Sequence, residues 1–399
     1  MSVAEALQRV LERAEPLPPE TVPLLEAHGR VLTKAVSALR TQPPADVSAM
    51  DGYAVRAIDV ESAPAKLKVI GEVAAGHVFQ GSVGPLEAAR IFTGGVVPPG
   101  ADTVVIQENT RREEAAVVVL KPTRPKQHVR SGGLDFKQGE VLLDEGRQLS
   151  ARDLMLAAAM NHPALPVHRR PKVAVLATGD ELVAPGSTPG PAQIIYSNGF
   201  ALLATARAEG ADTIDLAIAP DRLDKTVEAI RRARALEADV LVTTGGASVG
   251  DYDLVQTALA AEGIALSFWK VALRPGRPLM HGRLGRIQVL GLPGNPVSAF
   301  VCAALFLVPL IRRLSGREEL SWPWETATLG EDVTANDERA DYMRATLRVS
   351  GDRAFVFALP VQDSSMMAPL AKADCLLVRE PFAPAGKAGY PCSIIRLPL

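Results

Sequence analysis

The sequence predicts a multidomain α/β protein, and three observations carry that prediction. Apolar strands alternate with helical stretches from residue 172 onward. A β-rich region with Gly and Pro turns precedes them, flanked by helical segments. The last part of the chain loses its helix signal and keeps only short strand-like runs. A length of 399 residues gives ample core for roughly two to four domains.

Taken in order, residues 2–14 place Val3, Ala6, Leu7, Val10 and Leu11 on one helical stripe. A second short helix is expected over 20–35. From about 41 to 145, the runs LKVIGEV, TVVIQEN and AAVVVLK alternate with Gly and Pro turns, as in a small β domain. Helix returns over 150–161, a pattern that suits a β module inserted into a helical domain. From 172, the strands KVAVLA, TIDLAIA, DVLVTT and RIQVLGL alternate with helices near 197–209, 221–236, 251–262 and 296–314. That alternation predicts a mostly parallel sheet with helices on both faces. After 320, MRATLRV, RAFVFAL, DCLLV and SIIRL predict a small β-barrel or sandwich.

Composition narrows the function. The net charge is -2, from 43 basic and 45 acidic side chains, with no Lys/Arg run and 5% aromatics. This argues against a nucleic-acid binder. Cys302, Cys375 and Cys392 are dispersed and form no zinc or disulfide framework, which fits a reducing compartment. The N-terminus carries charges throughout and lacks a signal-peptide core. The apolar run AFVCAALFLVPLI, 299–311, is short for a bilayer span and contains Pro309, so it reads as a buried helix. The expectation is a cytoplasmic protein with no membrane or nucleic-acid partner. The histidines show no metal-protease spacing, and no nucleophile motif is present.

Ligands of open α/β sheets bind at the carboxyl ends of the strands, where three unusual loops fall. LVTTGGASVGDYD, 241–253, is glycine-rich yet lacks the lysine of a phosphate loop. Gly245, Gly246 and Gly250 permit close backbone approach, Ser248 offers a hydroxyl, and Asp251 and Asp253 open the next helix. Capping alone would also explain those acids. GLPGNP, 291–296, is stiffened by Pro293 and Gly294, with Asn295 expected as N-cap and Pro296 at the first helical position. ATGDEL, 177–182, supplies Thr178, Asp180 and Glu181. FWKVALRPGRP, 268–278, adds Lys270, Arg274 and Arg277. Acids beside an anion site make sense if Mg²⁺ bridges them to phosphate. A solvated strand end is the plain reading of the bases. The N-terminal half has its own polar glycine loops: SAMDGYAV with Asp51, IFTGGVVPPGAD with Thr93, and HVRSGGLD with Arg130 and Asp135. Each alone reads as a structural turn.

In this order these stretches resemble the MoeA-type molybdopterin molybdenumtransferase family, whose related domains occur in gephyrin. The motifs span residues 48–300 and the flanks fit the family layout. The resemblance implies an α/β multidomain fold. Its parts are an elongated helical domain from 1–40 and 140–170, an inserted β module over 41–139, a three-layer α/β/α molybdopterin-binding domain over 171–320, and a C-terminal β-barrel over 321–399. It also implies a homodimer whose active site joins the α/β domain of one subunit to the β module of the other. Asp51, Thr93, Arg130 and Asp135 match family active-site positions in the β module. Glu181, Asp221, Asp253, Lys270, Pro293 and Pro296 match those of the α/β domain. Asp221 would not stand out locally, where helix capping is the simpler reading. Arg274 stands where the family often has a second lysine.

The function implied is insertion of molybdenum from molybdate into adenylylated molybdopterin with release of AMP. Thr178, Gly245, Gly246, Ser248, Gly250, Pro293, Gly294, Asn295 and Pro296 would hold the pterin substrate. Asp221, Asp253 and Glu181 would hold Mg²⁺, while Lys270, Arg274 and Arg130 would attract molybdate or phosphates. Transient contact with molybdopterin adenylyltransferase and with cofactor acceptors would follow. The alternatives are the adenylyltransferase itself and a non-catalytic molybdopterin-binding scaffold.

Overall fold

The segment VAVLA carries no polar side chain, so as a strand it must be covered on both faces. The computed structural model, which describes residues 1–74, 76–245 and 254–398, buries it completely. The chain forms two compact units. One comprises Met1–Glu20, Gly29–Thr33 and Pro166–Leu399; the other comprises Thr21–His28 and Lys34–Leu165.

In the first unit, helix α1 (Val3–Leu11) starts at Ser2, whose hydroxyl accepts the Glu5 amide at 3.1 Å. In the second unit, strands β1 (Gly52–Val55), β2 (Ala65–Val73), β3 (Glu87–Ile91), β4 (Thr103–Ile106), β5 (Thr110–Glu113) and β6 (Ala116–Val119) form a sheet. Their order is β4-β1-β3-β2-β6-β5. Helix α2 (Ala151–Ala159) follows, opened by a capping box between Ser150 and Asp153. The helix expected over 20–35 does not form. Pro19–Pro23 is a strand and Leu24–Ala27 one 3₁₀ turn. The prolines at 19 and 23 remove amide donors and disfavour helix before them.

The α/β sheet of the first unit contains β7 (Lys172–Thr178), β8 (Asp212–Ala219), β9 (Val240–Thr244), β10 (Ala265–Trp269), β11 (Met280–Leu284) and β12 (Ile287–Leu292). The order is β8-β7-β9-β12-β11-β10. The run β8-β7-β9-β12 is parallel, and β11 and β10 are antiparallel additions. Helices α3 (Asn198–Ala208), α4 (Leu223–Ala235) and α5 (Leu254–Ala261) connect the strands. Helix α6 (Pro296–Cys302) runs through a π-helical turn, Ala303–Leu307, into α7 (Val308–Leu314). This continuous helix of 19 residues is long and apolar enough to cross a membrane, yet 83% of its apolar window is buried in the fold. Two clusters of buried apolar side chains flank the sheet, one around Val173, Val175 and Val242, the other around Ala174, Leu176 and Leu241.

The C-terminal strands β13 (Trp324–Leu329), β14 (Ala340–Ser350), β15 (Arg353–Ala358), β16 (Cys375–Arg379) and β17 (Pro391–Arg396) pair as β14-β15-β13-β17-β16. An additional β14–β16 pairing closes them into a barrel, which decides between barrel and sandwich. Closure leaves the sheet without free edges.

Candidate functional site

Three loops that are far apart in sequence meet at the carboxyl ends of parallel neighbours. β7 ends at Thr178, β9 at Thr244 and β12 at Leu292. They open on a cavity of about 460 Å³ lined by Thr178, Glu181, Tyr196, Asn198, Gly245 and Gly294, with Asn295, Pro296, Ser365 and Met367. A neighbouring cavity of about 570 Å³ shares Ser197, Asn198, Pro296 and Met367 with it and continues towards Phe300 and Leu370.

The glycines allow the backbones to approach. Gly245 has φ +91°, and a Cβ there would stand 2.4 Å from the Thr178 carbonyl. Gly294 would meet the Gly245 Cα at 3.8 Å. Gly179, with φ +147°, lies under the Glu181 carboxylate, leaving that side chain folded over its own turn. Asn198 fastens the arrangement. Its side-chain amide donates to Thr244 Oγ1 at 3.0 Å and to the Gly294 carbonyl at 2.7 Å. The sequence reading did not single out Asn198, since an Asn at a helix start reads as an ordinary cap. Tyr196 was missed as well. Its hydroxyl is buried with no hydrogen-bond partner, and burial, with Asp215 nearby, pushes the phenol up to about 12.

Asn295 occupies the N-cap position but does not cap. Its amide donates instead to Ser364 Oγ at 2.7 Å, while the Ser364 carbonyl accepts the Val297 amide at 3.1 Å. Pro296 does stand at the first turn of α6. Ser364 belongs to a segment held by the buried Arg344, which donates to Gln362 Oε1 and to the Met366 and Val361 carbonyls. Pro293 is buried and does not line the cavity.

Asp180 and Asp221 sit after β7 and β8 and exchange hydrogen bonds: the Asp221 amide donates to Asp180 Oδ1 at 3.0 Å and the Asp180 amide to Asp221 Oδ2 at 3.3 Å. Asp221 therefore does not cap α4, whose N-cap is Arg222. Among the described residues, no group of three or more His, Cys, Asp or Glu is gathered as a metal cage. Gly246, Ser248, Gly250, Asp251 and Asp253 lie outside the described residues.

Lys270 follows β10, is exposed, and does not line the cavity. Arg274 departs from the expectation of a free anion ligand. Its guanidinium donates to Asp341 at 2.6 Å, Asp337 at 3.1 Å and Asn336 at 2.9 Å. The adjoining pair Leu273–Arg274 adds to the start of β14. A planar fork suits two carboxylates at once, so Arg274 fastens this segment to the barrel.

The second unit brings its own loops together. Asp51 Oδ1 accepts both the amide and the hydroxyl of Thr93, each at 2.8 Å. These bonds hold the Asp51 carboxyl below its usual range. Ser48 exchanges backbone bonds with Gly94 and Gly95, and Ala49 donates to the His128 carbonyl. Val129–Arg130 pairs with Val47–Ser48, leaving Arg130 exposed. Gly132 packs on Ala45 and donates to Asp46 at 3.0 Å, and the Asp135 amide donates to Gln42. The sequence predicts a turn in SAMDGYAV, whereas Gly52 lies within β1. A Cβ there would meet the Val105 carbonyl at 2.0 Å, so the glycine serves close strand approach.

Comparisons with known proteins agree along the chain. Residues 1–161 match the MoeA N-terminal region (domain I and II), residues 174–313 a probable molybdopterin binding domain, and residues 326–397 the MoeA C-terminal region (domain IV). A molybdopterin molybdenumtransferase of a Nostoc species is 37% identical over 383 residues, covering 92% of this chain and 87% of the relative. One from Haemophilus influenzae is 33% identical, covering 95% and 94%. A solved structure of the molybdopterin biosynthesis moeA protein from Pyrococcus horikoshii superposes with a TM-score of 0.84 at 30% identity, over 99% of this chain and 98% of that one. With strand-end loops, closed barrel and β module all in the matched regions, this chain belongs to the MoeA, or molybdopterin molybdenumtransferase, family.

Proposed function

We propose that this protein is a transferase that inserts molybdenum from molybdate into adenylylated molybdopterin, releasing AMP. The observation that carries the reading is the convergence of the Thr178, Gly245 and Gly294 loops on one cavity, in a chain of this family. Backbone groups at these glycines offer close approach to substrate phosphates. Gly246, Ser248 and Gly250 would extend the same cradle. The Asn198 bonds fix the spacing of two of its walls. Pro293 and Pro296 stiffen the third wall. Lys270 supplies an exposed ammonium for molybdate or a phosphate.

Mg²⁺ is the cation this chemistry asks for: Asp221, bonded to Asp180 through the paired turn, and Glu181 at the cavity would offer the hard carboxylate oxygens that Mg²⁺ prefers, although among the described residues they are not gathered into a cage. Asp253 would complete the set. When bound, the cation supplies charge that polarises the phosphoanhydride. Arg274 acts at one remove, holding the segment after Lys270 to the barrel.

Asp51, Thr93, Arg130 and Asp135 form a second polar cluster, in the other compact unit. A homodimer in which this cluster completes the partner's cavity gives it a role, as the family layout implies. The four-domain division, with boundaries at 40, 140, 170 and 320, belongs to the same proposal. So do a cytoplasmic location and transient contact with the adenylyltransferase and cofactor acceptors. The adenylyltransferase reading is disfavoured, because relatives matching 92% and 95% of this chain are named molybdenumtransferases.

The test incubates purified protein with adenylylated molybdopterin, Mg²⁺ and molybdate, and follows AMP and pterin-bound molybdenum together. Molybdate-dependent AMP release with molybdenum retained supports insertion. Tight pterin binding with neither product overturns it in favour of a scaffold. Asp221→Ala should abolish Mg²⁺-dependent release; unchanged release would remove Asp221 from the metal site.

A further inference from the structure

The first unit contains another pocket, of about 400 Å³, away from the strand-end loops. Its floor is apolar: Leu7 of α1 with Ala304 and Leu305 of the π-helical turn. Its walls are aromatic. Trp322 and Tyr342 are buried at 5% and 4% exposure, and Trp324 is left 49% exposed. Two carboxylates, Glu338 and Glu380, also line it, and neither makes a side-chain hydrogen bond or ion pair among the described residues. The neighbouring acids are already neutralised: Asp337 pairs with Arg274 and Arg339, and Asp341 with Arg274. Glu380 and Tyr342 line the pocket together, and burial, joined by the charge of Glu380, pushes the Tyr342 phenol up. π-helical turns recur at functional sites, and this one supplies part of the pocket.

Aromatic faces and unpaired carboxylates in one concavity suit a single kind of guest. A cation is drawn to the negative face of an aromatic ring. A planar guanidinium can also fork onto carboxylates while stacking on an indole. The volume lies within the range of small-molecule sites. A bare metal ion would leave the aromatic wall unused. We propose that this pocket binds a small organic cation bearing a guanidinium group, its charge facing Glu338 and Glu380 and its body lying against Trp324 and Tyr342. The proposal stands independently of the reaction assigned above.

The experiment titrates the full chain with agmatine, and with butylurea as a neutral control, by calorimetry and tryptophan fluorescence. Agmatine should bind saturably and change the emission, and butylurea should not. Glu338→Gln combined with Glu380→Gln should weaken agmatine about three- to tenfold, as expected for two solvent-exposed charge contacts. Trp324→Ala should weaken it too, with the thermal midpoint of both variants close to the parent's. Non-saturable binding, equal binding of butylurea, or indifference to the double substitution would each overturn the proposal. Because no step uses the pterin substrate, failure here leaves the molybdenum-insertion reading untouched.

Discussion

Asn198 offers the sharpest perturbation of the cavity. Its amide makes two hydrogen bonds, to Thr244 Oγ1 at 3.0 Å and to the Gly294 carbonyl at 2.7 Å. Asn198→Ala removes both without adding bulk. A neutral hydrogen bond contributes about 1 kcal/mol net, so about 2 kcal/mol of loop positioning is lost. If substrate turnover needs those loops at their present spacing, kcat/KM falls about 30-fold, since about 1.4 kcal/mol is tenfold. The same loss spread over so large a fold should move the thermal midpoint by only a few degrees. The assay is the initial rate of molybdate-dependent AMP release across a range of adenylylated molybdopterin, with Tm measured in parallel. Asn198→Asp should be impaired at least as much, because a carboxylate cannot donate to the Gly294 carbonyl. A kcat/KM within about twofold of the parent, beside a clearly lowered Tm, would refute the reasoning. Asn198 would then merely support α3.

Three further outcomes are expected. Gly245→Ala places a Cβ 2.4 Å from the Thr178 carbonyl at φ +91°, so it should destabilise by about 1–3 kcal/mol and abolish pterin binding by calorimetry. Arg274→Ala should lower Tm while leaving the molybdate dependence of AMP release unchanged, because its partners are Asp341, Asp337 and Asn336; the reverse result would return it to the anion site. Asp337 is held down from 3.8 to about 2, first by its bonds from Arg339 and then by the charges of Arg274 and Arg339. A depressed carboxylate contributes stability above its unfolded value, and that stability is lost as pH falls through the folded one. Tm should therefore drop between about pH 4 and pH 2, and Asp337→Asn should flatten that drop in a pH series of thermal melts.

The α/β sheet was legible because its strands are buried on both faces and read as unbroken apolar runs, such as VAVLA in β7. The loops at their ends were legible through glycine and proline, which report backbone shape. The helix expected over 20–35 gave way to a strand and one 3₁₀ turn, because Pro19 and Pro23 cannot donate to a helical ladder and disfavour helix before them. The missing parts of the site share one cause. Asn198, Ser364 and Arg344 act through partners far away in sequence, and no local pattern announces a bond between positions 198 and 294. Arg274 shows the converse. Its charge and its place among basic residues suggested an anion, while the acids that claim it lie more than sixty residues on, as the separations of 63 and 67 residues show.

Those long-range bonds change what the C-terminal barrel is for. Arg344 is 1% exposed, and its guanidinium reaches the Met366 and Val361 carbonyls, fixing the segment that carries Ser364 and Ser365. Ser364 then takes the Asn295 amide and supplies the carbonyl that satisfies the Val297 amide, while Ser365 and Met367 line the cavity itself. One helix-opening loop of the sheet is therefore finished by a barrel loop, and the cavity wall is shared between them. A buried guanidinium is costly unless its donors are satisfied, and here they are satisfied by the segment that must be held. Arg344→Met keeps an apolar stem but releases that segment, so it should reduce pterin affinity although no atom of Arg344 lines the cavity. The measurement is calorimetric titration of pterin into the variant, checked by circular dichroism for an intact barrel. An intact barrel with parental affinity would mean that the barrel loop is a bystander to the site.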